Sequence, residues 1–158
     1  MRTWIIPVML LVFCFFLPLQ CYVIGDNLGI GIQGAVYRYQ ITVEGNSLIP
    51  ITHELYYITS GLYSGKTALS AILWISGTIL LFFTTFITLR FWNRIPSRIL
   101  PWISMGISIA GVIYLGSCLA QYGVFFSGPA GLSIPIGILY LFIFIAAIWT
   151  YQNKIFST

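Results

Sequence analysis

Four long apolar runs dominate the hydrophobic pattern of the chain. They cover about residues 4–24, 69–89, 102–122 and 134–151, and none of them contains Asp, Glu, Lys, Arg or His. Each is close to the ~20 residues that a helix needs to cross ~30 Å of hydrocarbon. The pattern therefore predicts an all-α membrane protein, in which residues 1–158 form a single four-transmembrane-helix bundle.

Charged residues at the ends of these runs predict the orientation. One side of the predicted bundle carries five basic residues and no acidic residue, whereas the other carries two basic and three acidic residues. By the positive-inside rule, both termini and the 90–100 loop are cytoplasmic, and residues 25–67 and about 123–133 are extracytoplasmic. The five basic residues are Arg2, Arg90, Arg94, Arg98 and Lys154.

Arg90, Arg94 and Arg98 fall between the second and third runs at a spacing of about four residues. We interpret them as topogenic charges that contact anionic lipid headgroups, each worth about 1 kcal/mol at such a surface. Membrane lipids are therefore the first predicted partner of the chain.

A polar segment, residues 25–67, is predicted to form a small extracytoplasmic cap between the first two membrane helices. Alternating apolar and polar residues in 35–43 indicate a strand, and 44–47 have the composition of a turn. Residues 48–51 return as a second strand, which completes a β-hairpin, and a short helix follows over about 53–58.

The predicted strand has one aromatic and aliphatic face and one polar face. Because large apolar side chains gain ~1.5–3 kcal/mol each on burial, the apolar face is expected to be covered. Its cover is either the protein's own bundle or another protein, and the sequence leaves both open. The candidate partner-docking residues on this face are Tyr37, Tyr39, Ile41 and Val43.

Composition supports the membrane prediction and limits the classes of partner. The chain is 59% hydrophobic and 6% charged, too little charge to cover a soluble domain of this length. Its net charge is +4, but the basic residues are scattered at helix ends instead of forming a patch, so no nucleic-acid binding is predicted. Other membrane subunits or self-association are the expected protein contacts.

No motif predicts a catalytic, cofactor or metal site. Gly29–Gly34 has the glycine spacing of a dinucleotide-binding loop, but a membrane run precedes it and a strand follows it. His53 and Glu54 lack the further ligands that a metal requires. Cys14, Cys21 and Cys118 form no CxxC pair, although a bridge between Cys21 and Cys118 stays open.

Small residues in the third run predict close helix packing. Gly106, Ala110 and Ser117 fall on one helical face, where a neighbouring backbone can approach. Pumps and transporters usually retain an ionisable residue at mid-membrane, and these runs have none. A small channel or transporter lined by Ser, Thr and backbone groups is therefore the alternative function. The leading prediction is a non-enzymatic accessory, assembly or structural subunit of a larger membrane complex.

The order of predicted elements resembles that of the claudin-type tetraspan proteins over nearly the whole chain. The shared order is a helix, outer strands, a short helix, a second helix, a brief cytoplasmic loop, a third helix, an outer loop and a fourth helix. That family has a Trp, a Gly-Leu-Trp and a cysteine pair in its first outer loop, whereas residues 25–67 contain no Trp and no Cys. Gly61-Leu62-Tyr63 is the nearest match. The resemblance therefore extends to topology and not to a barrier or junction function.

The predicted orientation can be tested by thiol labelling of intact cells. In a cysteine-free chain, Asn46→Cys is expected to react with a membrane-impermeant reagent, because residue 46 lies outside. Ser97→Cys is expected to react only after permeabilisation, because five basic residues retain its side in the cytoplasm. The reverse labelling pattern would invert the topology.

Overall fold

The computed structural model describes residues 9, 12, 16–25, 28–92, 96 and 98–156, with side chains described up to residue 150. From Gln20 onward these ranges contain six strands and four helices. In chain order they are β1 (Gln20–Ile24), β2 (Gly29–Gln33), β3 (Tyr37–Thr42), β4 (Gly45–Pro50), α1 (Ile51–Thr59), α2 (Gly65–Phe91), α3 (Leu100–Tyr122), β5 (Ser127–Gly128), β6 (Gly131–Ile134) and α4 (Gly137–Phe156).

The prediction of an all-α four-helix bundle is wrong. The strands form one six-stranded antiparallel sheet in the order β4-β3-β2-β1-β6-β5. Among the described helices, α2 and α3 are long and apolar enough to cross a membrane, with mean hydropathies of 2.0 and 1.8. The side chains of α4 are described only to Thr150, and within that limit its apolar stretch, Gly137–Thr150, is shorter than such a span.

The end of the first apolar run is a strand and not a helix. Phe16 still donates a helical hydrogen bond to the carbonyl of Val12. Pro18 then interrupts the helical pattern, because proline lacks a backbone donor and crowds the preceding turn. Tyr22 and the β-branched residues after it favour the extended backbone of β1. Hydrophobicity alone does not distinguish this strand from the end of a membrane helix.

The fourth apolar run also begins as a strand. β6 (Gly131–Ile134) pairs with β1 in an antiparallel register, with Cys21 opposite Ile134. Pro135 follows directly, and α4 begins only at Gly137 instead of at residue 134. The connection between α3 and α4 therefore contributes two strands to the sheet.

Within residues 25–67, the predicted hairpin is present as β3 and β4, with Tyr39 opposite Leu48. The short helix follows directly as α1. β2 was not predicted, since its residues were considered only for the glycine spacing of a dinucleotide-binding loop. It lies between β1 and β3, with Ile32 opposite both Cys21 and Tyr39.

The helices α2 and α3 pack closely and share buried hydroxyl groups. The Ser70 hydroxyl donates to the carbonyl of Ser117 at 2.9 Å, and the Thr78 and Tyr114 hydroxyls lie 2.9 Å apart. Gly106 faces Thr84, where an added Cβ would lie 2.5 Å from the hydroxyl oxygen. That hydroxyl is itself hydrogen-bonded to the carbonyl of Leu80 at 2.8 Å, so it has little freedom to move.

Two glycines of α3 provide a matched test of this packing. Gly106→Ala is expected to lower the free energy of unfolding by about 1–3 kcal/mol relative to Gly116→Ala, because it overpacks the contact with Thr84. A Cβ at Gly116 would meet only Leu73, at an ordinary 3.7 Å. Both changes alter helix propensity equally, so unfolding in detergent isolates the packing cost. Equal stability of the two variants would contradict it.

Candidate functional site

The two faces of the sheet differ sharply in chemistry. One face carries two cross-strand rows of apolar residues, and we call it the outer sheet face. The apolar part of the first row runs Leu132–Val23–Ile30–Ile41, between the polar Ser127 of β5 and Asn46 of β4, and the second row runs Ile134–Cys21–Ile32–Tyr39–Leu48. None of these side chains is charged. The opposite, inner sheet face carries Gln20, Tyr22, Gln33, Arg38, Gln40 and Ser133.

The polar inner face is the one that is buried. Gln20, Gln33 and Ser133 are 7%, 3% and 2% exposed. Buried polar groups require hydrogen-bond partners, since an unpaired group costs ~1–3 kcal/mol. The orientation of the sheet therefore depends on how these side chains are satisfied.

An amide pair lies at the centre of the inner face. Gln20 Nε2 donates to Gln33 Oε1 at 2.6 Å. Gln20 Oε1 accepts a hydrogen bond from the Ser133 hydroxyl at 3.2 Å and another from the Cys118 thiol. These bonds join β1, β2 and β6 to α3, so the sheet and the helix form one polar network.

Arg38 extends this network to α1 and α2. Its Nε and Nη2 atoms donate to Gln33 Oε1 at 3.3 and 3.2 Å. Its Nη1 atom lies 3.1 Å from Oε1 of Glu54, and the Glu54 side chain is 0% exposed. The guanidinium carbon also lies 5.4 Å from the ring centroid of Trp74 on α2, within range of a cation–π contact. One side chain of β3 therefore contacts a strand and two helices.

Glu54 is paired with Arg38 and also lies beside the hydroxyl of Tyr63. Within the described part of the chain, neither of its carboxylate oxygens accepts an aligned hydrogen bond. Burial raises the pKa of Glu54, while the charge of Arg38 and the hydroxyl of Tyr63 lower it to a smaller extent. A buried carboxylate with one countercharge is stable only while that countercharge stays in place.

Two further hydrogen bonds tie the sheet to α2. Trp74 Nε1 donates to the carbonyl of Gly34 at 3.0 Å, and the Thr78 hydroxyl donates to the carbonyl of Ala35 at 2.7 Å. Both carbonyls belong to the turn between β2 and β3. The inner face thus meets the helices, and the outer sheet face is directed away from them.

The outer sheet face is left open by this arrangement. Ile30 is 57% exposed, Leu48 is 65% exposed and Ile134 is 55% exposed. A groove of about 400 Å³ runs across the face, lined by residues of β1, β2, β3 and β6. Contiguous exposed apolar surface of this kind is typical of an interaction site.

The four predicted docking residues lie in different surroundings. Tyr39 and Ile41 line the groove of the outer sheet face. Val43 follows β3 and is 82% exposed. The Tyr37 hydroxyl donates to the carbonyl of Phe16 at 2.8 Å, which ties the start of β3 to the chain before β1. The protein's own helices contact the Arg38 face of β3 instead.

The other residues singled out from the sequence are separated from this face. Gly106, Ala110 and Ser117 lie in the α2–α3 contact, where Ala110 is 0% exposed. Arg90 and Arg98 are exposed near the end of α2 and the start of α3, and Arg94 lies outside the described residues.

The cysteines and the His53–Glu54 pair form no reactive centre in the described ranges. Cys21 and Cys118 are free thiols, because alternation along β1 places Cys21 on the outer face while its neighbour Gln20 contacts Cys118. Cys14 lies outside the described residues. No group of three His, Cys, Asp or Glu residues among those described is arranged to hold a metal ion.

Sequence reasoning missed the buried polar network. The polar side of the predicted strand, which includes Arg38, was expected to be the exposed one. The available signal was the presence of Gln20, Gln33, Arg38 and Glu54 within or beside otherwise apolar segments, where a polar residue needs a buried partner.

No protein-family model, curated protein or solved structure matches this chain.

A double-mutant cycle tests the Arg38–Glu54 pair. Glu54→Leu is expected to destabilise the protein by about 3–5 kcal/mol, because it leaves a buried cation unpaired. The loss should be near the lower end of that range, since Arg38 is 19% exposed. Adding Arg38→Met is expected to restore most of that stability. The free energy of unfolding in detergent measures both, and additive losses would show that the pair is not coupled.

The raised pKa of Glu54 predicts a pH dependence of stability. The folded protein binds the Glu54 proton at a higher pH than the unfolded chain does. The contribution of that proton to the free energy of unfolding is therefore complete below the pKa of the unfolded chain, about 4.3. It is lost as the pH rises through the folded pKa. The difference in unfolding free energy between wild type and Glu54→Gln should therefore change as the pH rises above the unfolded pKa of the carboxyl. A constant difference would contradict the shift.

Proposed function

We propose that this chain is a non-enzymatic, multi-pass membrane protein that acts as a subunit of a larger membrane complex. In this proposal α2 and α3 cross the bilayer, the loop between them is cytoplasmic, and the sheet lies towards the extracytoplasmic side. The outer sheet face is the surface that a partner subunit covers.

The membrane part of the proposal is supported by the surface of the helices. α2 exposes Ile79, Phe83 and Phe86 at 64–66%, and α3 exposes Val112 at 67%. Lipid is a favourable solvent for such side chains, whereas water is not. The basic residues Arg90 and Arg98 lie exposed at the connected ends of α2 and α3, as the positive-inside rule expects of a cytoplasmic loop.

The single observation that carries the subunit role is the open, charge-free outer sheet face. Water satisfies charged and polar side chains, yet this sheet buries its polar face and exposes its apolar one. The cores of protein interfaces are similarly depleted of charge and enriched in apolar and aromatic residues. Tyr39 is the aromatic member of this face.

The alternative, a channel or transporter lined by hydroxyl groups, has less support. Several buried hydroxyls of α2 and α3 bond to one another or to helix carbonyls, and that of Thr78 also donates to the carbonyl of Ala35. Examples are the Ser70–Ser117 pair and the bond from Thr88 to the carbonyl of Thr84 at 2.8 Å. Groups that are already paired in this way are poor replacements for the hydration shell of an ion.

Affinity purification in mild detergent tests the proposal. The wild-type chain is expected to purify with a partner at fixed stoichiometry. Ile30→Asp is expected to release that partner, because it places a charge in the middle of the apolar contact. Its melting temperature should stay near that of the wild type, since Ile30 is 57% exposed and supports little of the chain's own core.

Leu62→Asp is the matched control, because Leu62 is 66% exposed and lies outside the outer sheet face. This variant is expected to keep the partner. If the wild type purified as a single chain, or if both variants retained the partner, the outer sheet face would not be a subunit contact.

A further inference from the structure

We propose that the end of the sheet nearest the helices is inserted into the outer leaflet of the bilayer, where the second row of the outer sheet face contacts lipid acyl chains. That row is Ile134–Cys21–Ile32–Tyr39–Leu48. The contact of the partner subunit is then narrowed to the first row, which includes Ile30. This inference rests on the proposed function, because it requires α2 and α3 to cross the bilayer.

The turn between β2 and β3 determines the depth of the sheet. Trp74 Nε1 donates to the carbonyl of Gly34 at 3.0 Å, and the Thr78 hydroxyl donates to the carbonyl of Ala35 at 2.7 Å. Thr78 is the middle residue of α2 (Gly65–Phe91). In a bilayer that α2 crosses, this turn therefore lies close to the level of the bilayer centre.

Contacts between β1 and α3 show that the strands run along the helices. Gln20 contacts Cys118, and two residues further along β1 the ring centroids of Tyr22 and Tyr122 are 6.4 Å apart. Two strand residues rise about 7 Å and four helical residues rise about 6 Å, so β1 and α3 advance together. The strands therefore run from the level of the turn towards the outer surface of the bilayer.

The two rows of the outer sheet face lie at different depths. The second row is three or four residues from Ala35, at Ile32 and Tyr39, which is a rise of about 10–14 Å. The first row is five or six residues away, at Ile30 and Ile41, which is a rise of about 17–20 Å. Half of the hydrocarbon thickness is about 15 Å. The second row is therefore within the hydrocarbon, and the first row is just outside it.

The polarity of the face changes at the same level. The second row consists of aliphatic residues, Cys21 and Tyr39, whereas the apolar part of the first row lies between the polar Ser127 and Asn46. Beyond the first row, the turn after β3 carries Glu44. Polar and charged groups thus begin at the depth where lipid headgroups and water begin.

The burial of the polar face agrees with contact between the apolar face and lipid. The strands of membrane barrels direct apolar side chains outward to lipid and polar side chains inward. Here Gln20 and Gln33 are buried, whereas Ile134 and Leu48 of the second row are exposed. This end of the sheet therefore has the alternation of lipid-facing strands.

The backbone at this end suits a medium without water, in which each unpaired N–H group is costly. β4 is one edge of the sheet, and β6 is the outermost strand at the level of Ile134, because β5 pairs only with Gly131 and Leu132. Pro50 ends β4 and Pro135 follows β6, and proline has no N–H group to leave unpaired. Neighbouring N–H groups donate to backbone carbonyls at 2.7–2.9 Å, namely those of Leu19, Gly34, Ile51 and Gly137.

The residue types of the second row favour lipid over a membrane subunit as its cover. Contacts between membrane helices use small residues and hydroxyl groups, which let two backbones approach closely. The α2–α3 contact follows this rule with Gly106 and the Ser70–Ser117 pair. The second row instead has bulky side chains, like the exposed Ile79 and Phe83 of α2.

Spin labels on the reconstituted chain test this depth. The full chain, free of native cysteines, is purified without other proteins and placed in phosphatidylcholine vesicles. Single labels are attached at exposed positions in the second row, beside the outer turn and near the middle of α2, by Ile134→Cys, Leu48→Cys, Val43→Cys and Phe83→Cys. The collision rate of each label with oxygen, which concentrates in hydrocarbon, is compared with its collision rate with a water-soluble nickel complex.

The ratio of oxygen to nickel collisions at Ile134→Cys and Leu48→Cys is expected to be several-fold higher than at Val43→Cys, and close to that at Phe83→Cys. Melting temperatures identify a variant that fails to fold, and either second-row position is sufficient for the comparison.

The outcomes separate this inference from the proposed function. A ratio in the second row as low as that at Val43→Cys would place the row in water and overturn the inference, while a partner released by Ile30→Asp would leave the subunit role standing. Few collisions with either reagent would show that protein covers the row, and would overturn the inference as well. If Phe83→Cys itself collided with the nickel complex, α2 would not cross the bilayer and both would be wrong.

Discussion

The ion pair between Arg38 and Glu54 determines which face of the sheet meets the helices. Arg38 lies on the polar side of β3, and its guanidinium contacts Gln33, Glu54 and the ring of Trp74. With the polar side inward, the buried Glu54 carboxylate and the Arg38 guanidinium are each other's partner. Because an unpaired buried charge costs several kcal/mol, the polar side is retained inside.

The rest of the molecule follows from that orientation. The amide pair of Gln20 and Gln33 completes the polar network, and Cys118 on α3 and Ser133 on β6 supply donors to it. Since strand side chains alternate, burying this side sends Cys21, Ile32 and their row outward. The cost of an exposed apolar face is recovered only when something covers it, which links the internal network to the proposed assembly.

Local patterns predicted the elements whose signals lie close together in sequence. The β3–β4 hairpin, α1 and the apolar lengths of α2 and α3 are examples. β1 and β6 were missed because their residues are as hydrophobic as the helices beside them. Pro18 and Pro135 were the signals that separate strand from helix there.

The inward face of β3 could not be predicted from alternation alone. Alternation identifies two faces, and the usual rule buries the apolar one. Here contacts with other elements reverse that choice. The Arg38 side chain meets Gln33 on β2, Glu54 on α1 and Trp74 on α2. The pairing of residues across different elements is information that a short window of sequence does not carry.

The thiol reactivity of neighbouring positions on β6 tests the sheet orientation most directly. Leu132→Cys and Ser133→Cys are each placed in a cysteine-free chain carrying Ile30→Asp, which keeps the outer sheet face uncovered. Leu132 is 42% exposed and Ser133 is 2% exposed. The account predicts fast reaction of Leu132→Cys with a polar maleimide and protection of Ser133→Cys until the protein unfolds. Protection of Leu132→Cys with fast reaction of Ser133→Cys would contradict it.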